Sequence, residues 1–251
     1  MKTISFINQK GGTGKTTTAI NVGACLANKG YKVLLVDIDP QGSLTTSTGI
    51  DTDDKDTLYE VLKGAADVNS VIQVHNNYSV LPTDLRQSGA EMELVREVGA
   101  EQLFKMNVIN KLQTSYDFVL IDCPPALSLF TVMSLAASDG VIIPLQAHFL
   151  SFNGIVQLQN TVDLVKERIN PALDIVGYVF TMYDGRKNLD KQVLERVEAD
   201  SPGKPFKTTI SSNVTLAEAP ALSQDIYEYD PKAKGAIQYA ALTDEIIERI
   251  K

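Results

Sequence analysis

Apolar positions along the chain follow two alternating patterns. Short runs rich in β-branched and apolar residues occupy 3–7, 32–37, 78–81, 118–122, 140–145 and 175–181. Several of them, Val33-Leu34-Leu35-Val36 and Phe118-Val119-Leu120-Ile121 among them, are continuously apolar rather than alternating. That is the mark of parallel strands covered on both faces. Between the runs, apolar residues recur every three to four positions. This spacing predicts helices near 15–29, 88–113, 151–169, 188–199 and 235–250, the last with Leu242, Ile246 and Ile250 on one stripe. Two helix starts carry capping-box pairs, Thr57 with Glu60 and Ser88 with Glu91. Proline and glycine mark the boundaries at Pro40, Pro82, Pro124-Pro125, Pro144 and Pro171. Regular strand–helix alternation predicts an α/β fold: a doubly wound, predominantly parallel β-sheet flanked by helices. No Gly-, Ser- or Pro-rich linker divides it, so a single domain over residues 1–251 is expected.

Composition narrows the chemistry. The 251 residues are 44% hydrophobic and 22% charged, as in an ordinary globular chain. Trp is absent and aromatics make up 7%, which argues against an aromatic platform for single-stranded nucleic acid. The two cysteines, Cys25 and Cys123, provide neither a disulfide framework nor a thiolate metal site, and both read as core residues. His75 and His148 are too few for a His-rich metal centre and read as surface or satisfied polar groups. The net charge of −8 is not the footprint of a nucleic-acid or anionic-membrane binder, so any DNA contact has to come from a local patch. No apolar stretch reaches transmembrane length and no signal peptide is evident, so a cytoplasmic location is expected.

The segment Lys10-Gly11-Gly12-Thr13-Gly14-Lys15-Thr16-Thr17 follows the first predicted strand and opens the first predicted helix. This is the context of a phosphate-binding loop. Its glycines let successive N–H groups curl toward phosphate oxygens, and the helix adds its positive dipole end. Lys15 is placed to reach the β- and γ-phosphates, and the Thr16 hydroxyl to ligate Mg²⁺. The usual G-x-x-x-x-G-K-[ST] spacing asks for glycine where this chain has Gln9, and it carries Lys10 beside the paired glycines instead. A second lysine at the mouth of the loop repels Lys15 unless phosphate lies between them. Lys10 therefore meets its own nucleotide or one held by a neighbouring subunit.

Carboxylates follow at two predicted strand ends. Asp37 closes the second run and Asp39 stands just beyond it in Asp37-Ile38-Asp39-Pro40-Gln41. Asp122 closes Phe118-Val119-Leu120-Ile121 and precedes Cys123-Pro124-Pro125. In an open α/β sheet, strand C-termini face the ligand crevice. An apolar strand ending in Asp is the Walker-B pattern that supports Mg²⁺, which gives Asp37 and Asp122 that role beside Thr16. Asp39 is placed to orient or deprotonate an attacking water.

Taken together, KGGTGKTT, VDIDPQGS, FVLIDCPPAL, NVTLAEAP and YDPKAKGA, in that order, resemble the ParA/Soj family of partition ATPases. These belong to the deviant-Walker group of P-loop NTPases that also includes MinD. The resemblance spans nearly the whole chain. It implies an ATPase with ATP and Mg²⁺ sandwiched in a homodimer, Lys10 being the signature lysine that contacts the partner's nucleotide. It also implies that Asp39 is the water-orienting carboxylate. Gly11, Gly12, Thr13, Gly14, Lys15, Thr16 and Thr17 would cradle the phosphates, and Met182, Ser211 and Asn213 would flank the adenine. Further expectations are non-specific binding of double-stranded DNA by the ATP dimer, nucleoid association in that state, and hydrolysis stimulated by a ParB-type partner.

The match thins at the DNA contacts. Arg186 and Lys187 stand at one arginine site of the Soj-like branch. The other, usually P-R-N-V-R, reads Ser211-Ser212-Asn213-Val214-Thr215 here, with hydroxyl residues at both arginine positions. Lys204, Lys207, Lys232 and Lys234 are candidate substitutes. Two other readings stand beside DNA partition. One is a nucleotide-switched ATPase that positions a protein cargo. The other is a MinD-like membrane ATPase, which calls for a C-terminal amphipathic helix with a basic polar face; residues 244–251 carry three acids against two bases, so no membrane contact is expected.

Overall fold

The computed structural model describes residues 1–113, 115–147 and 151–250; His148 lies outside them. Seven strands form one sheet: β1 (Lys2–Phe6), β2 (Val33–Asp37), β3 (Gln73–His75), β4 (Tyr78–Leu81), β5 (Phe118–Asp122), β6 (Gly140–Gln146) and β7 (Asp174–Thr181). Their order is β3-β4-β2-β5-β1-β6-β7, with β3 antiparallel to β4 and every other pairing parallel. The six apolar runs became strands within a residue or so of their expected ends. β3 carried no such signal. It is a three-residue edge strand joined to β4 through Asn76-Asn77, with Asn76 in the left-handed region (φ 50°) that asparagine tolerates in a tight hairpin.

Side chains that alternate along each strand feed two cores. Ile4, Phe6, Leu35 and Leu120 pack with the Lys15–Asn28 and Lys234–Arg249 helices. Leu34, Val36, Val119 and Ile121 pack on the other face with the Leu129–Ala137, Ser151–Arg168 and Asn188–Asp200 helices. Burial on both faces is why the strands read as unbroken apolar runs. Gly23 lets the Lys15–Asn28 helix lie close to the sheet, since a Cβ there would come within 2.5 Å of Leu35 Cδ2. Both cysteines are buried, and the Cys123 thiol is pushed up to about 12 by burial, consistent with packing rather than chemistry.

The 88–113 stretch departs from expectation. It holds a helix at Gln87–Leu94 and short turns of helix at Ala100–Gln102, Leu103–Asn107 and Ile109–Lys111, interrupted at Gly99 (φ 76°). The first helix begins at Gln87 with Arg86 at its N-cap, so the Ser88–Glu91 box does not start it. Glu91 instead accepts the Leu129 N–H (2.8 Å) and caps a neighbouring helix. The Thr57–Glu60 box forms as expected.

The C-terminal helix docks through Leu242 and Ile246, both fully buried, with Ile250 partly buried against the same cluster. Leu242→Ala should lower unfolding free energy by about 2–5 kcal/mol, the cost of a cavity in a packed core. Urea unfolding checks this, and a loss below about 0.5 kcal/mol would contradict the docking.

Candidate functional site

The sheet register brings the acidic residues together. On the adjacent parallel strands β2 and β5, Asp37 and Asp122 are Cα partners, and Phe6 at the end of β1 is opposite Asp122 on the other side. The chain leaves β1 here and turns through residues 7–14 into the Lys15–Asn28 helix. Gly12 (φ 72°) and Gly14 (φ 81°) make that turn in the left-handed region. The loop is tied down at several points. Asn8 Nδ2 donates to the Pro144 carbonyl (2.6 Å), Gln146 Nε2 to that of Gly12 (2.7 Å), and Thr181 Oγ1 to that of Thr13 (2.8 Å). The ends of β6 and β7 thus hold the loop's shape. Gly14 gives the helix no side-chain cap, so its first-turn N–H groups are left for a ligand.

Lys15 is only 6% exposed and Lys10 is exposed at the loop's rim. Lys15 Nζ makes one long contact, to the Lys10 carbonyl (3.5 Å). Burial lowers its pKa, and the nearby charge of Asp122 opposes that shift. Thr16 Oγ1 donates to Asp122 Oδ2 (2.6 Å), while Asp122 Oδ1 is buried with no hydrogen-bond partner among the described residues. Asp37 Oδ2 accepts both the N–H (2.8 Å) and the hydroxyl (2.9 Å) of Thr45. Burial raises the Asp37 carboxyl to about 7 against those hydrogen bonds. Asp122 is raised well above the ordinary range by burial and then by Asp37, opposed by the Thr16 hydrogen bond and by Lys15. Two dry carboxyls side by side, one with an orphaned oxygen next to a threonine hydroxyl, form an all-oxygen donor set suited to Mg²⁺. Thr16, Asp37 and Asp122 therefore fit the ion. Asp39 is 8% exposed at the rim, and its Oδ1 accepts the Gln41 N–H (3.0 Å).

Beyond Thr181 the chain turns at Met182 (φ 51°). Met182, Ser211 and Asn213 line a cleft of about 150 Å³ with Gly14, Thr17 and Tyr239. It opens from the loop's end and is walled mainly by apolar groups, as a base requires. A second cleft, of about 680 Å³, shares Met182 and Ser211 and is bordered by Arg186, Lys187 and Lys234.

Three of the six candidate DNA cations share one cleft. Arg186, Lys187 and Lys234 meet at the larger cleft, with Lys232 exposed nearby in sequence. Lys204 lies past the far end of the Asn188–Asp200 helix, where its Nζ donates to the Glu198 carbonyl (2.6 Å). Lys207 sits beside Glu245, which accepts its backbone N–H (2.8 Å). Arg186 itself is forked onto Asp184 (2.9 Å for each bond) and holds that carboxyl down to about 2. His75 is satisfied by Glu228 (3.2 Å).

The partners of these residues were not visible beforehand. Thr45 and Gln146 act across 8 and 134 positions in sequence, and no local motif marks them.

A family model described as an AAA domain matches residues 1–175. The sporulation initiation inhibitor protein Soj of Bacillus subtilis (strain 168) is 44% identical over 248 residues, covering 98% of each chain. The chromosome partitioning protein ParA of Caulobacter vibrioides is 40% identical over 255 residues, covering 99% of this chain and 95% of the relative. Among solved structures, cobyrinic acid a,c-diamide synthase from Mycobacterium smegmatis, with bound ATP analogue and magnesium, superposes with a TM-score of 0.87 at 34% identity. That match covers 100% of this chain and 96% of the other. Among the described residues, no helix is long and apolar enough to cross a membrane.

The raised Asp37 carboxyl has a consequence for stability. Its folded pKa of about 7 lies above the unfolded value, so the folded state keeps a proton that the unfolded chain gives up. The contribution is full below about pH 4 and is lost as pH rises through about 7. In magnesium-free urea titrations from pH 5 to 8, the wild type should lose stability relative to Asp37→Asn. Parallel curves would contradict the burial of that charge.

Proposed function

Because the chain belongs to the Soj/ParA family of partition ATPases, we propose that it hydrolyses ATP as a nucleotide-gated homodimer that moves DNA cargo. The observation that carries this reading is the Thr16–Asp122 hydrogen bond (2.6 Å) beside a buried Lys15. It puts a cation, a metal-ligating hydroxyl and a strand-end carboxylate at one mouth, which is what phosphoryl transfer needs. Residues 1–251 act as one ATPase unit. The backbone of Gly11–Thr17 cradles the phosphates, and Lys15 neutralises β/γ charge. Thr16 and Asp122 hold Mg²⁺, backed by Asp37. When bound, the ion offsets the charge that develops on the phosphate oxygens. Asp39 orients the water whose oxygen bonds to the γ-phosphorus as the bond to the ADP oxygen breaks, and it receives the water's proton. Met182, Ser211 and Asn213 flank the base.

The exposed Lys10 reaches the nucleotide of the other subunit, so ATP favours the closed dimer by its differential affinity. The closed dimer binds double-stranded DNA without sequence preference and associates with the nucleoid. Arg186, Lys187, Lys232 and Lys234 supply this contact at the large cleft, and Lys204 and Lys207 lie apart from it. A ParB-type partner stimulates hydrolysis and release. The chain works in the cytoplasm and has no membrane contact, because the apolar stripe of its last helix is spent on the core.

Lys15→Ala should abolish ATP binding; unchanged affinity by calorimetry would refute the assignment. Asp39→Ala should keep ATP but lower turnover by about 10²–10⁴-fold, the range for a lost proton acceptor, and persist as a dimer on size exclusion with ATP. Monomer alone, or undiminished turnover, would count against it. DNA affinity with ATP should fall steeply with salt and weaken further in Arg186→Ala. An intact ATPase that ignores DNA at every salt concentration would favour a protein cargo, a reading already motivated by Ser212 and Thr215 at the family's arginine positions.

A further inference from the structure

Residues 206–213 bridge β7 and the C-terminal helix. On one side, the Phe206 and Ile210 N–H groups donate to the Tyr178 and Phe180 carbonyls (2.8 Å each), extending the sheet edge. On the other, two side chains of the Lys234–Arg249 helix hold the backbone. Glu245 accepts the N–H groups of Lys207 (2.8 Å) and Thr208 (2.7 Å). Gln238 Oε1 accepts both the N–H (3.2 Å) and the hydroxyl (3.1 Å) of Ser211, and its Nε2 donates to the Thr209 carbonyl (2.9 Å). These partners settle which way the amide faces, because Ser211 N–H needs an oxygen and the Thr209 carbonyl needs an N–H. The geometry is commensurate. Seven residues of helix rise about 10 Å, and the three steps from Thr208 to Ser211 span about 10 Å when extended.

From Ile210 to Asn213 the segment is a wall of the 150 Å³ cleft, and Asn213 caps the Val214–Glu218 helix through the Thr215 N–H (3.1 Å). Gln238 thus grips the segment where it enters the cleft, on both sides of Ile210. It does not itself line that cleft, whereas its neighbour Tyr239 does. Tyr239 is 1% exposed and its hydroxyl meets Thr18 Oγ1 (3.2 Å) in the helix that follows the phosphate loop. The wall is therefore referenced to the same helix that carries Lys15 and Thr16.

We propose that Gln238 is a positioning residue for nucleoside recognition: by holding Thr209 and Ser211 it sets the wall against which the base packs, and so governs affinity for the nucleoside but not for the phosphates. This rests on the reading of the site as an ATP site. Loss of the amide frees three hydrogen-bonding groups in the wall, and the order that the segment loses has to be restored at each binding event. Ser211 and Ser212 also border the larger cleft with Lys234, so the same clamp fixes the spacing between the base and the cationic rim.

The test is isothermal calorimetry on the whole protein with Mg²⁺ and either ATP or inorganic tripolyphosphate. Gln238→Met keeps the packed volume and removes the hydrogen bonds. It should weaken ATP about tenfold, near the worth of one to two hydrogen bonds, and leave tripolyphosphate within about twofold. Gln238→Ala should show the same split, with thermal melting confirming that both variants are folded. Unchanged ATP affinity in Gln238→Met, or equal loss of both ligands, would overturn the proposal. Lys15→Ala should lose both ligands. Retention of both there would overturn the ATP reading itself, a failure distinguishable from that of Gln238, which acts on one ligand alone.

Discussion

Two carboxyl groups lie side by side at the dry end of the sheet, and the rest of the site is arranged around them. Asp37 and Asp122 are fully buried on adjacent parallel strands at the same register. Buried charges of one sign are expensive unless a cation or a proton relieves them. Burial raises both carboxyls above the ordinary range, which favours proton uptake, and the Lys15 charge opposes that at Asp122. A divalent ion and a triphosphate offer the alternative. Lys15, the loop N–H groups and the Thr16 hydroxyl are held where such a pair would meet them. The nucleotide and its metal would thus complete an electrostatic arrangement that the fold leaves open.

The fold makes that opening by placing the ends of β1, β2 and β5 together. Parallel strands need long crossovers, and the crossover after β1 is the phosphate loop and its helix. The same geometry explains why the loop's supports come from β6 and β7. Pro144, Gln146 and Thr181 are at or near the ends of strands that finish beside it. The C-terminal helix completes the arrangement: its apolar stripe closes one core, and its polar stripe, Gln238 and Glu245, holds residues 207–211 beside the smaller cleft.

Much of this was legible in the sequence for physical reasons. Strands buried on both faces must be continuously apolar, so six of the seven stood out. The edge strand β3, with alternating and partly exposed residues, did not. The Leu129–Ala137 helix was missed because it is apolar on nearly every side, which erases the period of 3.6. The 88–113 pattern was read as one helix because the sequence does not show that Glu91 caps another element. Within the site, Lys15, Thr16 and Asp122 lie in local motifs whose chemistry is tied to spacing. Thr45 and Gln238 act through contacts that exist only once the chain is folded. The basic residues were the least legible, since lysines scattered between Lys187 and Lys234 say nothing about which ones share a surface. The structure separates Lys204 and Lys207 from the rest.

The most direct measurement is the position of the metal in a crystal grown with Mg²⁺ and a non-hydrolysable ATP analogue. The expected result is an ion beside Thr16 Oγ1 with the Asp122 carboxylate turned toward it, and Lys15 Nζ on the phosphates. A triphosphate bound away from residues 10–17, with Asp37 and Asp122 still facing each other and no ion near them, would contradict it.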